Sequence, residues 1–429
     1  EHFMSINQEE LEMGVTKRKA QSEQLLTDVS PDPIEPCMAP LQPHQLRCGI
    51  VFDDWKQTSY ISPAGIDNLK YYKYTGSDLS FFGNLILFPI YTYLTTLLPK
   101  WIAPNVLTLS GLICNIIAFV LILTHMEPET FNGVAPSWVY FVAAFLLMSY
   151  QALDNMDGKQ ARRTGSSSAL GELFDHICDC ACVTVFTMIV AACSQLGIEG
   201  MYWLSWISMI AFHLAHWEEY YVGELIMARF SGPTEAVLSI VLVLVVSGLG
   251  FVPLWHTTVL GEWTVAHLLL GGMSVSVALN VVEHTRAVVR WCSARRVPLS
   301  QPLLELLPLL LVAASNAVWL FASRAVTESG GDVLSRAAVP FTLQAGMFLA
   351  YFETRVLAQR ICRERAPHMY LIVVPSCVVA LAAVYGYLVG GMPFDDVMLA
   401  KSMLLVHTAF FSYLVKNIVY QLSTALKIN

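Results

Sequence analysis

The chain has 429 residues, of which 55% are hydrophobic and 14% charged, with mean hydropathy +0.54 and a formal net charge of −8. Soluble globular domains carry about a quarter charged residues, so this composition excludes that class and points to a membrane protein. No basic block marks a nucleic-acid partner. The ten cysteines sit mostly in apolar segments without a Cys-x-x-Cys pair, which excludes a disulfide framework. Cys178, Cys180 and Cys182 alternate by two and scatter around a helix, so they read as packing residues rather than zinc ligands.

Residues 1–48 are polar and Pro-rich without an apolar h-region, and are expected to form a disordered cytosolic tail. A lead-in over 49–100 contains the aromatic segment 81–99, FFGNLILFPIYTYLTTLLP, interrupted by Pro89 and ending at Lys100 and Trp101. It reads as an interfacial helix, with a true span as the alternative. Ten apolar segments follow, near 105–124, 136–153, 171–195, 201–221, 233–250, 263–283, 303–323, 338–358, 369–390 and 397–425. About 20 helical residues cross a bilayer core, and lipid offers the backbone no hydrogen-bond partners. The expected fold is therefore an all-α polytopic membrane protein of about ten transmembrane helices preceded by an interfacial amphipathic helix. With alternating spans, one side collects Lys159, Arg162, Arg163, Arg229, Arg286, Arg290, Arg295, Arg296, Arg360, Arg363 and Arg365. The other side holds only Arg324 and Arg336. By the positive-inside rule the first side, and both termini, face the cytosol.

Between the second and third spans the sequence reads DNMDGKQARRTGSSSALGELFDHICD, Asp154 to Asp179. It packs eight charged side chains into 26 residues, twice the density of the chain as a whole. Asp154 and Asp157 lie three apart, and Asp175 and Asp179 four apart, so each pair shares a helix face. If the loop brings the two helices together antiparallel, four carboxylates converge at the membrane boundary, where unpaired anions are costly. Divalent cations are the simplest remedy, and an all-oxygen ligand set selects Mg²⁺ or Mn²⁺ over zinc. Two such ions sharing carboxylates are suited to a diphosphate. Gly158 and Ala161 keep the helix end slim, and Arg162 presents a fork for phosphate oxygens. The competing readings are a salt-bridged helix pair at the headgroup level and a cation transporter. The transporter predicts acidic groups through the depth of several spans, whereas here they cluster at one end of two helices.

The pattern Asp154-x2-Asp157-Gly158-x2-Ala161-Arg162-x8-Gly171-x3-Asp175-x3-Asp179 resembles the signature of the CDP-alcohol phosphotransferase family. GKQARRTGSSSALGELFDH, YKYTGSD, PKWIAPNVLT, HWEEYYVGEL and SGPTEA resemble its eukaryotic choline/ethanolamine phosphotransferase branch. That resemblance covers nearly the whole chain except 1–48 and is strongest over 70–240. It implies a catalytic core over 101–250, with the helices of 251–429 forming a lipid cavity or a homodimer interface. It implies transfer of phosphocholine or phosphoethanolamine from CDP-choline or CDP-ethanolamine to diacylglycerol, with release of CMP, in the endoplasmic reticulum or Golgi membrane. A CDP-diacylglycerol-dependent phosphatidyltransferase of the same family is the alternative.

Carried onto this chain, the resemblance makes Asp154, Asp157, Asp175 and Asp179 ligands of two Mg²⁺ ions, and Asn105, Gly158, Ala161 and Arg162 the CDP-alcohol contacts. The base is His176, oriented by Glu172 four residues before it, or else Asp179. In AFHLAHWEEYYVGEL, His213, His216, Trp217, Tyr220 and Glu224 fall on roughly one helix face, and Trp217, Tyr220 and Glu218 or Glu219 are candidates to surround the ammonium head of the donor. The alternative there is an interfacial belt. Glu283, His284, Glu305, Asn316, Glu353 and His407 are left unassigned.

Overall fold

A computed structural model describes residues 60–74, 76–227, 232–326, 331–365 and 370–428. The tail expected at 1–48, Arg229 and the first residue of SGPTEA lie outside them. All described residues belong to one compact unit, Gly49–Asn429.

The described residues form thirteen α-helices. A short α1 (Pro63–Asn68) is followed by α2 (Phe88–Leu97), α3 (Pro104–Leu123), α4 (Ser137–Thr164), α5 (Ala169–Cys193) and α6 (Gly197–Val222). Then come α7 (Pro233–Val246), α8 (Val265–Arg295), the short α9 (Ser300–Glu305), α10 (Leu307–Val326), α11 (Val333–Cys362), α12 (Val373–Val389) and α13 (Asp396–Leu426). The ten expected apolar segments coincide with α3–α8 and α10–α13. Seven of these are long and apolar enough to cross a membrane: α3, α5, α7 with its continuation to His256, α8, α10, α11 and α13. Helix α12 is apolar but only 17 residues long, while α4 and α6, at 28 and 26 residues, are long enough but carry polar ends. The chain is an all-α integral membrane protein.

The segment 81–99 is helical from a π turn at Gly83–Leu87 into α2, and at ten residues α2 is too short to span. It buries Tyr91 and Thr95 and exposes Leu85, Ile90, Tyr93 and Leu97, which is the two-faced pattern of an interfacial helix. Pro89 does not interrupt it. The helical run continues through it, and the π turn directly before it is where the hydrogen-bond ladder adjusts to the missing N–H.

Helix α5 lies at the centre, with 72% of its most apolar window buried, against 6% for the peripheral α8. It packs on α3, α6 and α11, while α4 packs on α3, α2 and α7. Helix α3 therefore wedges against both α4 and α5. Two short strands, β1 (Gly76–Asp78) and β2 (Leu225–Met227), pair in parallel with Gly76 opposite Leu225, tying the lead-in to the end of α6. A kink in α11 falls at Ala337, three residues before Pro340, as a proline inside a helix demands.

Candidate active site

Helix α4 does not stop where its apolar run ends, near residue 153. It continues through DNMDGKQARRT to Thr164, where Arg162 and Arg163 complement the negative end of the helix dipole. Gly165, at φ 70°, closes it in the left-handed conformation that glycine adopts without strain. After a four-residue link the Ser168 hydroxyl caps α5 by accepting from the Gly171 N–H at 3.1 Å. The aspartates thus stand on two rigid helices rather than on a loop.

Oxygens of Asp154, Asp175 and Asp179 lie within 4.8 Å of one another. Asp157, nearly one turn beyond Asp154 on α4, interacts electrostatically with Asp175 on α5, which brings the fourth carboxyl to the group. The outer oxygens have partners: Thr108 donates to Asp157 Oδ2 at 2.5 Å and Tyr150 to Asp179 Oδ1 at 2.7 Å. Asp175 Oδ1 is buried and has none. Buried polar atoms are almost always satisfied, so an orphaned oxygen on a member of this carboxyl cluster fits a divalent cation held by oxygen ligands.

Around this cluster, Gly158 is open on the side facing Arg162. A Cβ placed there would meet only the Arg162 guanidinium, at 3.5 Å, among the described residues. Arg162 itself is exposed and Ala161 half-buried. Its neighbour Arg163 is spent on structure, donating to the carbonyls of Thr95, Thr96 and Leu98 at the end of α2. Gln160 reinforces that junction through the carbonyls of Pro99 and Ile102. Asn105 reaches the start of α5, its Oδ1 3.7 Å from where a Gly171 Cβ would stand. Asn105 and Arg162 therefore flank the aspartates from α3 and α4.

His176 is buried one residue beyond Asp175, with Nδ1 unpartnered and its ring edge-on to that of His216 at 5.4 Å. Glu172 does not orient it. Both Glu172 oxygens are taken, one by the Tyr72 hydroxyl and the other by Arg360, so the expected Glu172–His176 pair is corrected. A guanidinium is a permanently charged partner, and a neutral imidazole does not displace it from a buried carboxylate. Burial pushes the Tyr72 phenol up to about 12 against the opposing pull of Arg360, so it meets Glu172 as a neutral donor.

The expected headgroup cage is not assembled either. Trp217 Nε1 donates to the Pro302 carbonyl at 3.2 Å and the Tyr220 hydroxyl to the Glu364 carbonyl at 2.8 Å. Glu218 pairs with His284 at 2.5 Å. Three neighbouring elements claim these side chains, because a buried aromatic N–H or O–H must find an acceptor. Of the polar residues left unassigned, four more find partners: Glu305 accepts from Tyr221, Asn316 from Gln344, Glu353 pairs with His213, and His407 with the Gln344 carbonyl.

Sequence reading missed Thr108 and Tyr150, which fix the outer aspartates, and the pairing of Tyr72 and Arg360 with Glu172. It also missed that α6 brings His216 and Glu219 against His176. HWEEYYVGEL marked that helix end as polar, but no local signal ties it to α5.

A family model described as CDP-alcohol phosphatidyltransferase matches residues 101–263. The chain is 36% identical over 332 residues to uncharacterized CDP-alcohol phosphatidyltransferase class-I family protein 2 of Dictyostelium discoideum, covering 77% of each chain. It is 34% identical over 253 residues to cholinephosphotransferase 1 of Saccharomyces cerevisiae, covering 57% of this chain and 64% of the relative. With choline/ethanolaminephosphotransferase 1 of Arabidopsis thaliana it shares 34% identity over 236 residues, 54% of this chain and 57% of the relative.

Proposed function

The chain belongs to the CDP-alcohol phosphatidyltransferase class-I family, and from that premise we propose that it transfers phosphocholine, phosphoethanolamine or both from the CDP-alcohol to diacylglycerol. The family and the relatives support CDP-alcohol phosphotransferase activity. The choice of donor and acceptor follows the relatives named for choline and ethanolamine transfer. The observation that carries the reading is the cluster of aspartates on α4 and α5, one oxygen of which, Asp175 Oδ1, is buried without a partner.

In this reading Asp154, Asp157, Asp175 and Asp179 hold two divalent cations, Mg²⁺ by preference with Mn²⁺ as a substitute. When bound, such ions neutralise the diphosphate and stabilise charge on the transferring group. Arg162 grips a donor phosphate through its guanidinium fork. Gly158 and Ala161 leave room for the donor at the surface of α4, and Asn105 contacts the cytidine.

His176 Nδ1 takes the proton from the diacylglycerol hydroxyl as its oxygen bonds to the β-phosphorus. The bond from that phosphorus to the bridging oxygen breaks, and CMP leaves with the electron pair. What favours His176 over Asp179 is availability. The Asp179 carboxyl accepts from Tyr150 and touches Asp154, whereas His176 Nδ1 has no partner. Glu172 serves instead to tie α5 to α11 and the lead-in.

The catalytic core spans 101–250, and the helices of 251–429 bound the path for the lipid acceptor. The excess of Lys and Arg at the aspartate end of the helices supports a site facing the cytosol, in the endoplasmic reticulum or Golgi membrane. Purified protein given diacylglycerol with labelled CDP-choline or CDP-ethanolamine is expected to form labelled phospholipid and CMP. Turnover of labelled CDP-diacylglycerol with an alcohol acceptor, and of neither CDP-alcohol, would instead place the chain among the CDP-diacylglycerol-dependent members.

A further inference from the structure

Behind the aspartates lies a second group of ligating side chains of different chemistry. His176 from α5 and His216 and Glu219 from α6 each offer a donor atom, all within 4.8 Å of one another. Their relative exposures are 6%, 5% and 1%, so the three are screened from water. From these residues we propose a transition-metal site, selective for Zn²⁺ and separate from the oxygen-only site of the aspartates.

Three observations point to a ligand. His176 Nδ1 and Glu219 Oε2 are buried without a hydrogen-bond partner, although interiors rarely leave such atoms unsatisfied. The surrounding contacts also prepare the ligands. The His216 Nδ1–H donates to the Phe212 carbonyl at 3.0 Å, which leaves the lone pair on Nε2, the form that binds metal. Arg360 holds Glu219 Oε1 at 3.0 Å, which fixes the carboxylate and leaves Oε2 available. Finally, the Glu353 carboxylate lies behind the group, its Oε1 paired with His213 and its Oε2 unpartnered 4.0 Å from His216 Nδ1. That charge offsets part of a dication in a low-dielectric region.

Two imidazoles and one carboxylate suit Zn²⁺ and Co²⁺, with a fourth position left open, and suit Mg²⁺ poorly. An ion here uses the lone pair of His176. If His176 is the base, as proposed above, zinc withdraws it from the reaction while Mg²⁺ stays on the aspartates. The enzyme is then inhibited by a metal that does not compete with its own.

The test uses the full chain, purified and saturated with Mg²⁺, titrated with Co²⁺ and then Zn²⁺. One equivalent of Co²⁺ is expected to bind with visible d–d absorption of a nitrogen-containing site, and Zn²⁺ to bleach it. Loss of even an outer partner of a metal ligand costs about 10- to 100-fold in affinity. His216→Ala and Glu219→Gln should each weaken Co²⁺ binding by more than about tenfold and raise the zinc concentration for half-inhibition in parallel. Glu219→Gln preserves shape and decides alone if His216→Ala does not fold. Absence of the band in the wild type, or its persistence in the folded variants, overturns the proposal. The optical readout is independent of which group takes the proton, so failure of His176 as base leaves this test intact.

Discussion

Two regions of this protein bury aspartates near a membrane boundary, and they are built on opposite rules. Asp396, at the start of α13, accepts from the Trp319 Nε1–H through Oδ1 at 2.8 Å and from the Ser323 hydroxyl through Oδ2 at 2.6 Å. Every strong partner it needs comes from α10. At the other end of the molecule, Asp154, Asp157, Asp175 and Asp179 face one another, and Asp175 Oδ1 has no partner. A satisfied buried carboxylate is a joint between helices. Convergent carboxylates, one of them orphaned, make a site whose missing partner comes from solution.

Substitutions in the two regions should separate activity from stability. Asp175→Asn is expected to abolish transfer by at least about a thousandfold, since bound ions supply several kcal/mol to the transition state. Its thermal midpoint without divalent ions should hold or rise, because one repelling anion is gone. A fall in stability with activity retained would make Asp175 a joint like Asp396.

His176→Ala should lower turnover by about 10²- to 10⁴-fold, the usual worth of a general base. Binding of the CDP-alcohol, measured calorimetrically, should be nearly unchanged. Near-normal turnover would pass the proton to Asp179.

Asp396→Ala reverses the pattern. Leaving the buried Trp319 N–H without its acceptor costs about 1–3 kcal/mol, read as a lower unfolding midpoint, with transfer per folded molecule intact.

The smallest effect belongs to its exposed neighbour Asp395, the N-cap of α13. The backbone N–H groups of Met398 and then Val397 hold its carboxyl below the usual range, with Arg336 nearby adding to the effect. A depressed folded value means its contribution is complete above the unfolded value of about 3.9. It is lost as pH falls through the folded value. Asp395→Asn should remove that acid-side dependence and leave stability at neutral pH close to the wild type.

The sequence revealed the spans because each is a long apolar run, and the aspartates because their spacing of three and four is a helical face. The extent of α4 was hidden, since DNMDGKQARR is polar although helical. The partners of Glu172 were hidden for another reason. Arg360 lies 188 residues away, and the nearby His176 looked like the natural choice by spacing alone. Trp217 and Tyr220 misled similarly: their rings share a helix side, but α9 and the segment after α11 supply acceptors that only the folded chain brings near. His216 and Glu219 stood in a segment visibly rich in polar groups. That they meet His176 depends on how α6 packs against α5, and no local pattern encodes it.

The central claim is that the aspartate cluster holds divalent ions for transfer from a CDP-alcohol. Its most direct test is CMP release by purified protein with diacylglycerol and each CDP-alcohol, with and without Mg²⁺, in the wild type and Asp175→Asn. The account predicts CMP and phospholipid formed together only with the divalent ion, and lost in a variant that remains folded. Release that proceeds in chelator, or that survives the substitution, would contradict it.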